Sequence, residues 1–186
     1  MQNIVRAAVD SAEQLRSAGV QTEAIAEYVA PRRVMLVHRP ATMQPLGEVW
    51  RLGVLLLNAE AGLSLQGAGG TSAGDSLLYV AGKATRSAKR LHPGNQSISR
   101  EERRDIAAAA LKGGYPEGRP VNYDVQPIEL DDDALRSLDA SHPLGVVGDE
   151  VRVRWRAGAS LDGAPTLAAY LAERVDLLAH PPHEQM

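Results

Sequence analysis

The stretch VWRLGVLLLNAEAGLSLQGAGGTSAG, residues 49–74, joins the densest apolar run of the chain to its longest glycine-rich segment. Val49 to Leu57 predicts a buried strand, in which Gly53 marks a bulge or a close approach of backbone. Asn58 to Gly62 suits a turn with positive φ, and residues 63–66 alternate apolar and polar side chains. We therefore predict a hairpin with these two segments as its arms and its apolar face in the core.

Helical and strand patterns on both sides of this hairpin predict the α+β class. The predicted helices are residues 2–18, ended by Gly19, 22–29, 100–112 behind the capping box Ser99 to Glu102, 131–138, and a last helix opened by Asp162 and Pro165. The predicted strands are residues 34–38, 49–57, 63–66, 76–82, 121–130 and 151–156. Residues 76–82 also fit a helical stripe, but Gly82 favours the strand. Without regular βαβ alternation, we predict a mainly antiparallel sheet of about six strands with helices packed on one side.

Two of the predicted strands carry more specific expectations. Pro127 lacks a backbone N–H, so we expect residues 121–130 to lie at a sheet edge. The clearest alternation in the chain predicts an apolar face of Val151, Val153 and Trp155 and a cationic face of Arg152, Arg154 and Arg156. We expect these arginines to pair with Glu150, or with a carboxylate such as Glu129 on a neighbouring strand.

Length and composition indicate one domain without disulfides. The chain has 186 residues, of which 44% are hydrophobic, and this is enough to close a single core. We predict a single α+β domain over residues 1–179, with a helical N-terminal segment at 1–30, a flexible glycine-rich loop at 67–76 and a disordered tail at 180–186. The absence of cysteine excludes thiolate chemistry and fits a reducing compartment.

The N-terminus and the apolar runs give an expectation about location. Arg6, Asp10 and Glu13 interrupt the apolar run that a signal peptide requires. The apolar run around residues 52–57 is too short to cross a bilayer. We therefore expect a soluble, cytoplasmic protein without a membrane partner, and the formation of a homo-oligomer stays open.

Charge is distributed unevenly along the chain. The formal net charge is −3, yet residues 83–104, which we term the basic segment, hold seven basic and two acidic side chains. Residues 105–186 hold seven basic and fourteen acidic side chains. Such asymmetry indicates either an anionic partner for the basic segment or pairing between the two parts of the chain. We expect no dedicated nucleic-acid binding, because no aromatic residue is interleaved with the basic ones.

The basic segment supplies the candidate ligand-binding residues. Free backbone amides at the start of the helix behind Ser99, together with ammonium and guanidinium groups, form the kind of site that binds an anion. The predicted ligand-binding residues are Lys83, Arg86, Lys89, Arg90, Ser99 and Arg100. The alternative is a solvated loop with surface ion pairs of small energetic value.

The glycine-rich loop supplies one catalytic candidate. Residues 70–74, GTSAG, match the G-x-S-x-G pattern, in which a strained strand-to-helix turn exposes a nucleophilic serine, here Ser72. Over these five residues the chain resembles the nucleophile elbow of patatin-like lipases, and the resemblance implies a serine hydrolase. The histidines that could act as its base are His92, His142, His180 and His183. A phosphate-loop interpretation is rejected, because Asp75 stands where a lysine should contact phosphate.

The sequence predicts no metal site and no cofactor. Asp131 to Asp133 are interpreted as helix caps, and His180 and His183 lie in the predicted tail, where flexibility makes a poor metal site.

Two classes of function follow. The leading hypothesis is a non-enzymatic binding or regulatory module that recognises an anionic ligand or protein partner through the basic segment. The alternative is a small serine hydrolase that uses Ser72. A helix directly after Gly74 would favour the hydrolase, whereas a strand there would count against it.

Overall fold

The structure is a computed structural model that describes residues 2–34, 37–61, 74, 76–87 and 99–181. Within these ranges it contains four helices and eleven strands. The helices are α1 (Gln2–Ser17), α2 (Arg100–Lys112), α3 (Asp132–Ser137) and α4 (Leu167–Ala179). The strands are β1 (Glu23–Val29), β2 (Arg32–Val34), β3 (Val37–Arg39), β4 (Thr42–Leu52), β5 (Leu55–Asn58), β6 (Leu78–Val80), β7 (Lys83–Arg86), β8 (Pro120–Tyr123), β9 (Gln126–Pro127), β10 (Leu144–Val147) and β11 (Glu150–Val153).

The α+β class is confirmed, although the sheet is more mixed than the sequence predicts. Seven strands are hydrogen-bonded in the order β7-β8-β1-β4-β5-β6-β9, and the pairs β2–β3 and β10–β11 form small antiparallel sheets. β1 pairs with β4 in the antiparallel sense but with β8 in parallel. Most strands that the sequence missed are two to four residues long, too short to show a period.

The chain divides into two compact units. The first unit comprises Met1–Thr22, Trp50–Val80 and Pro127–Met186, and the second comprises Glu23–Val49 and Ala81–Gln126. Each unit has its own cluster of buried apolar side chains. The single domain expected from chain length stays a prediction.

The helix predicted at residues 2–18 is confirmed as α1, which packs along one side of the first unit's core. Its residues Ala8, Ala12 and Leu15 are fully buried, and α1 packs against α4. Gly19 follows the helix with a φ of +66°, which is the backbone conformation expected of a terminating glycine.

The hairpin of this stretch lies within the predicted first arm. β4 and β5 are joined by a two-residue turn at Gly53 and Val54, where one continuous strand was predicted. A turn does follow Asn58, since the Ala61 N–H donates to the Asn58 carbonyl at 3.1 Å. Gly53 has a φ of +65°, which explains why a glycine interrupts the apolar run. β5 pairs instead with β6, which confirms a strand within residues 76–82. The arm predicted at 63–66 lies outside the described residues.

The side chain of Asn58 holds the chain that follows β5. Its amide nitrogen donates to the carbonyl oxygens of Gly74 (3.1 Å) and Ser76 (3.0 Å), and its oxygen accepts from the backbone N–H of Glu60 at 2.9 Å. Asn58 is buried, so these bonds satisfy a polar group that would otherwise be costly to bury. Most of the loop predicted at 67–76, including Ser72, lies outside the described residues.

Strand β11 ends earlier than its alternating pattern suggests. Val151 and Val153 are buried as predicted, but Trp155 is 72% exposed and Arg154 is only 8% exposed. The ladder with β10 stops at Val153, so the next residues no longer follow the strand's two faces. Trp155 was therefore wrongly assigned to the apolar face, and Arg154 wrongly to the solvent face.

In the second unit, residues 23–29 form a strand and not the predicted helix. β1 runs between β4 and β8, and its residues Ala24, Ile25 and Ala26 are buried. Pairing on both sides outweighs the local capping signal of Thr22, because β-branched and aromatic residues pack well in a sheet. The strand predicted at 34–38 is also replaced, by the short strands β2 and β3.

Strand β8 is central, so the prediction of an edge strand over residues 121–130 is wrong for its first part. β8 pairs with β1 on one side and β7 on the other. Asn122 is fully buried and donates to the Glu23 carboxylate at 2.8 Å and to the Ala24 carbonyl at 3.0 Å. Pro127 itself lies in β9, an edge strand of the seven-stranded sheet. Proline has no backbone N–H to donate to a second neighbour, so an edge position suits it.

Helix caps are the best-predicted local features. The Ser99 hydroxyl accepts from the Glu102 N–H at 3.1 Å, and the Asp131 carboxylate accepts from the Ala134 N–H at 2.8 Å. α4 also forms, but its N-cap is Thr166 and not Asp162. Among the described residues, no helix is long and apolar enough to cross a membrane.

Candidate functional site

The described ligand-binding candidates of the basic segment have different partners. The Lys83 ammonium lies 2.8 Å from the Asp124 carboxylate, whose hydrogen bond and charge raise the pKa of Lys83. The Arg86 guanidinium donates to the carbonyl of Gly118 at 3.2 Å, and Arg100 is exposed at the start of α2. Lys89 and Arg90 lie outside the described residues.

Lys83 and Ser99 do line one cavity, of about 420 Å³, in the second unit. Its other polar and aromatic lining residues are Glu101, Glu102, Asp105, Asp124, Tyr28 and Tyr123, and we term it the acidic cavity. Four carboxylates thus face one ammonium group, and the Ser99 hydroxyl is already used to cap α2. Such a lining repels anions, so the described part of the basic segment gives little support to anion binding.

The serine candidate has a strand after it. Ser72 lies outside the described residues, and so do most of its neighbours. The chain that follows Gly74 enters β6, a strand of the sheet, where a nucleophile elbow needs a helix. The hydrolase remains a prediction, and the observed strand counts against it.

A second cavity, of about 460 Å³, lies in the first unit. It is bounded by the turn between β4 and β5, by residues that follow β11 and by one face of α4. Its charged and aromatic lining residues are Arg154, Trp155, Asp162, Tyr170, Glu173 and Arg174, and we term it the arginine cavity.

Arg154 is a buried cation at this cavity. Its Nε donates to the carbonyl of Ala159 at 3.0 Å, and its Nη1 donates to the carbonyls of His142 (2.8 Å) and Leu144 (2.7 Å). Within the described ranges, no carboxylate forms an ion pair with it. Gly145 allows this packing, since a Cβ there would approach both Nη atoms to 2.9 Å.

His142 is kept neutral beside this guanidinium. Burial lowers the pKa of His142, and the positive charge of Arg154 lowers it further, whereas the Asp139 carboxylate opposes the shift. The neutral ring uses its Nδ1 to accept from the backbone N–H of Leu144 at 3.0 Å. His142 therefore adds no second positive charge beside Arg154.

Arg174 is the second cation of the arginine cavity. Its guanidinium carbon lies 5.2 Å from the ring centroid of Tyr170, one turn earlier on α4. Its Nε is buried and makes no hydrogen bond to any described residue. Neither carboxylate of the lining, Asp162 or Glu173, forms an ion pair in the described chain, and Asp162 accepts from the Ser160 hydroxyl.

Trp155 presents a flat apolar surface at the same cavity. Its side chain is the most exposed large hydrophobic group of the described chain, and the Arg156 guanidinium lies 4.5 Å from its ring centroid. The ring of an exposed tryptophan offers contact area to a ligand at low entropic cost. The arginine cavity therefore combines two guanidinium groups that form no ion pair with a described residue and one exposed aromatic side chain.

The sequence did not predict this site, because its residues were interpreted as parts of a regular strand and of the last helix. Arg174 is the one charge in the apolar stripe of the last helix, and that interruption was the available signal. The alternating pattern of the sequence continues through Arg154 and Trp155, but the strand itself ends at Val153. The pattern therefore assigned both side chains to the wrong face.

Comparisons with protein-family models, curated proteins and solved structures find no match to this chain. In the part of the chain that the structure describes, no group of three or more His, Cys, Asp or Glu side chains is arranged to hold a metal ion.

Proposed function

We propose that the protein is a non-enzymatic binding module that holds a small anionic ligand, or an acidic group of a protein partner, at the arginine cavity. The observation that carries the proposal is that Arg154 and Arg174 both line the cavity without a carboxylate partner in the described residues. Carboxylate and phosphate groups are the natural partners of guanidinium groups. Since the chain has no cysteine, we place this activity in a reducing compartment such as the cytoplasm.

Burial of charge sets the energetic cost of the two arginines. A buried guanidinium is costly unless hydrogen-bond acceptors or an opposite charge compensate it. Three backbone carbonyls compensate Arg154 in part, and they occupy only its Nε and Nη1. The Nε of Arg174 has no acceptor at all among the described residues. A bound anion would supply the missing acceptor atoms and the missing negative charge.

The acidic members of the lining restrict the kind of ligand. Asp162 and Glu173 balance the two arginines, so the formal charge of the lining is zero and long-range attraction of anions is weak. Recognition then depends on short-range hydrogen bonds to the guanidinium groups and on contact with Trp155. We infer a ligand with one anionic group attached to a planar apolar part, and an affinity that falls only moderately with salt.

Tryptophan fluorescence tests this proposal with defined probes. Phenyl phosphate and benzoate are titrated into the protein, with benzylamine as the cationic counterpart. Trp155 is exposed whereas Trp50 is 3% exposed, so a saturable change in emission that disappears in Trp155→Phe reports binding at the cavity. We expect saturation with the anions and none with benzylamine. Equal responses to all three probes would reject the proposal.

Arginine variants decide where the anion binds. Arg174→Gln should weaken binding about tenfold or more, the value of a charge-assisted hydrogen bond. Arg136→Gln is the matched control, because Arg136 is exposed on α3 in the same unit and does not line the cavity. Charge reversal at Arg86, Lys89 and Arg90 should leave the affinity unchanged. If the triple variant loses binding while Arg174→Gln binds like the native protein, the anion binds at the basic segment and not at the arginine cavity.

A further inference from the structure

We propose a second binding surface, independent of the arginine cavity: the second unit binds the phosphate backbone of double-stranded DNA through a cationic β-ribbon. The ribbon consists of β2 and β3, and we term it the arginine ribbon. It carries Arg32, Arg33, His38 and Arg39, all of which are exposed. The sequence contains no acidic residue between positions 28 and 47. Phosphate groups are natural partners of guanidinium groups, and the major groove of B-form DNA admits a two-stranded ribbon.

The arginine ribbon continues the β1–β4 pair beyond the seven-stranded sheet. At the end of β1–β4, Val29 is opposite Thr42, and the same register sets Arg32 opposite Arg39 in the ribbon. A proline precedes Arg32 and another follows Arg39. Proline has no N–H to donate, so the ladder is interrupted between the two pairs. The ribbon is therefore a separate two-stranded sheet, whose charged side chains are open to a partner.

The ribbon presents basic side chains on both of its faces. Residues directly opposite each other in an antiparallel pair share a face, and successive residues alternate between faces. Arg32 and Arg39 therefore lie on one face, and Arg33 and His38 lie on the other. A DNA groove has a phosphate backbone on each side and can contact both faces at once, whereas a flat lipid surface contacts one. The major groove of duplex RNA is too deep and narrow to admit side chains in this way, so the geometry favours DNA.

The pair of Arg32 and Arg39 gives an independent indication of an anionic partner. Like charges directly opposite each other destabilise an antiparallel pair. Neither these two arginines nor Arg33 form an ion pair or a side-chain hydrogen bond with any residue that the structure describes. The pair therefore does not stabilise the ribbon by itself. One phosphate between the two guanidinium groups would replace their repulsion with two charge-assisted hydrogen bonds.

The charge of the whole second unit also favours a polyanion. Its two segments, Glu23–Val49 and Ala81–Gln126, contain twelve basic and eight acidic side chains and hence a formal charge of +4, although the whole chain has −3. The expectation of no dedicated nucleic-acid binding depends on the lack of aromatic residues among the basic ones, and aromatic stacking serves single strands. A duplex is held largely through its phosphates, which carry no sequence information. We therefore infer binding that is independent of the DNA sequence.

Fluorescence anisotropy of a labelled DNA duplex of about 20 base pairs tests the proposal with the full chain, between about 50 and 200 mM salt. Three phosphate contacts predict a slope of log affinity against log salt of about −2.7, or roughly a fortyfold loss over this range. Arg33→Gln should weaken binding about tenfold at the lower salt and reduce the slope by about 1. Arg33→Lys keeps the charge and should bind like the native protein. Arg104→Gln, which removes an exposed cation of α2 in the same unit, is the matched control.

The outcomes separate the alternatives. Equal losses in Arg33→Gln and Arg104→Gln would show a diffuse charge effect and overturn the ribbon as the site. Affinity for single-stranded DNA equal to that for the duplex would overturn the groove. Capture by phosphatidylserine vesicles that Arg33→Gln abolishes, without DNA binding, would assign the ribbon to a membrane and also overturn the proposal.

A stability measurement distinguishes a binding role of the ribbon from a structural one. Arg39→Gln should weaken DNA binding as Arg33→Gln does, yet it relieves the repulsion with Arg32 and should not lower the urea midpoint. A lower midpoint together with native DNA affinity would make the arginine structural and overturn the proposal. The response of Trp155 to phenyl phosphate should be unchanged in both variants, so this proposal and the arginine cavity succeed or fail separately.

Discussion

The hydroxyl of Tyr170 donates a hydrogen bond to the backbone carbonyl of Leu52 at 2.8 Å, across 118 residues of sequence. The same hydroxyl accepts from the backbone N–H of Val54 at 3.2 Å, so α4 holds both sides of the turn between β4 and β5. Gly53 lies between these two contacts. The turn that forms one edge of the arginine cavity is thus fixed by the helix that carries Arg174.

Replacing Gly53 tests this fit. A Cβ at this position would collide with the Tyr170 hydroxyl, and the φ of +65° is unfavourable for alanine. We expect Gly53→Ala to lower the free energy of unfolding by about 2 to 4 kcal/mol. Gly19→Ala is the matched control, because Gly19 has a φ of +66° with nothing within 4 Å of the added atom, and it should cost about 1 kcal/mol. Urea unfolding followed by circular dichroism measures both, and equal losses would contradict the collision.

Neighbouring arginines on one segment should differ strongly in their effect on stability. Arg154→Met leaves one buried and two partly buried carbonyl acceptors without their donor and should lower the free energy of unfolding by about 2 to 4 kcal/mol. Arg152 pairs with the half-exposed Glu150 at 2.7 Å, and its bonds to the carbonyls of Leu161 (3.5 Å) and Ala164 (3.4 Å) are long, so Arg152→Met should cost only about 1 kcal/mol. Urea midpoints of the two variants check the difference. A larger effect at Arg152 would mean that Arg154 is not the structural arginine.

Sequence patterns predict local features of this chain well and long-range ones poorly. Helix α1, the cap at Ser99 and the pairing of Arg152 with Glu150 depend on residues a few positions apart, and all three are confirmed. β1 was mistaken for a helix, because its identity depends on strands that are distant in sequence. The turn at Gly53 was predicted only as a bulge or close approach of backbone, because the contacts that fix it come from Tyr170, 117 positions away.

The candidate sites show the same limit. The sequence predicted Lys83 and Ser99 as anion-binding residues from their charge and capping pattern, and both line one cavity. Tyr28, Tyr123 and Asp124 reach that cavity from other elements. No local pattern could show that the lining would be mainly acidic. The arginine cavity likewise depends on where β11 ends. The strand ends at Val153, two residues before Trp155, and beyond this point Arg154 is buried and Trp155 is exposed.

The serine hydrolase alternative makes a simple prediction about labelling. Because a strand follows Gly74 where an elbow requires a helix, we expect a fluorophosphonate probe not to label Ser72 in the folded protein. Mass spectrometry of the tryptic peptide that contains Ser72 measures this, with a commercial serine hydrolase as the positive control. Labelling that disappears in Ser72→Ala would restore the hydrolase and displace the binding module.

The stability of the protein should fall as the pH drops below the ordinary pKa of histidine, because of His142. Burial, assisted by the Arg154 charge, lowers the pKa of His142 in the folded state. The unfolded chain therefore takes up a proton at a higher pH than the folded chain does. By linkage, the contribution of His142 is fully present above about pH 6.5 and is lost as the pH falls through the folded pKa.

Urea unfolding at pH 7.5, 6.0 and 5.0 measures this contribution. We expect the free energy of unfolding of His142→Gln to depend less on pH over this range than that of the native protein, since glutamine takes up no proton. His38→Gln removes an exposed histidine of β3 and should retain the native pH dependence. If His142→Gln and the native protein lose stability in parallel on acidification, the proton must be taken up elsewhere. His142 would then not be held neutral by its burial beside Arg154.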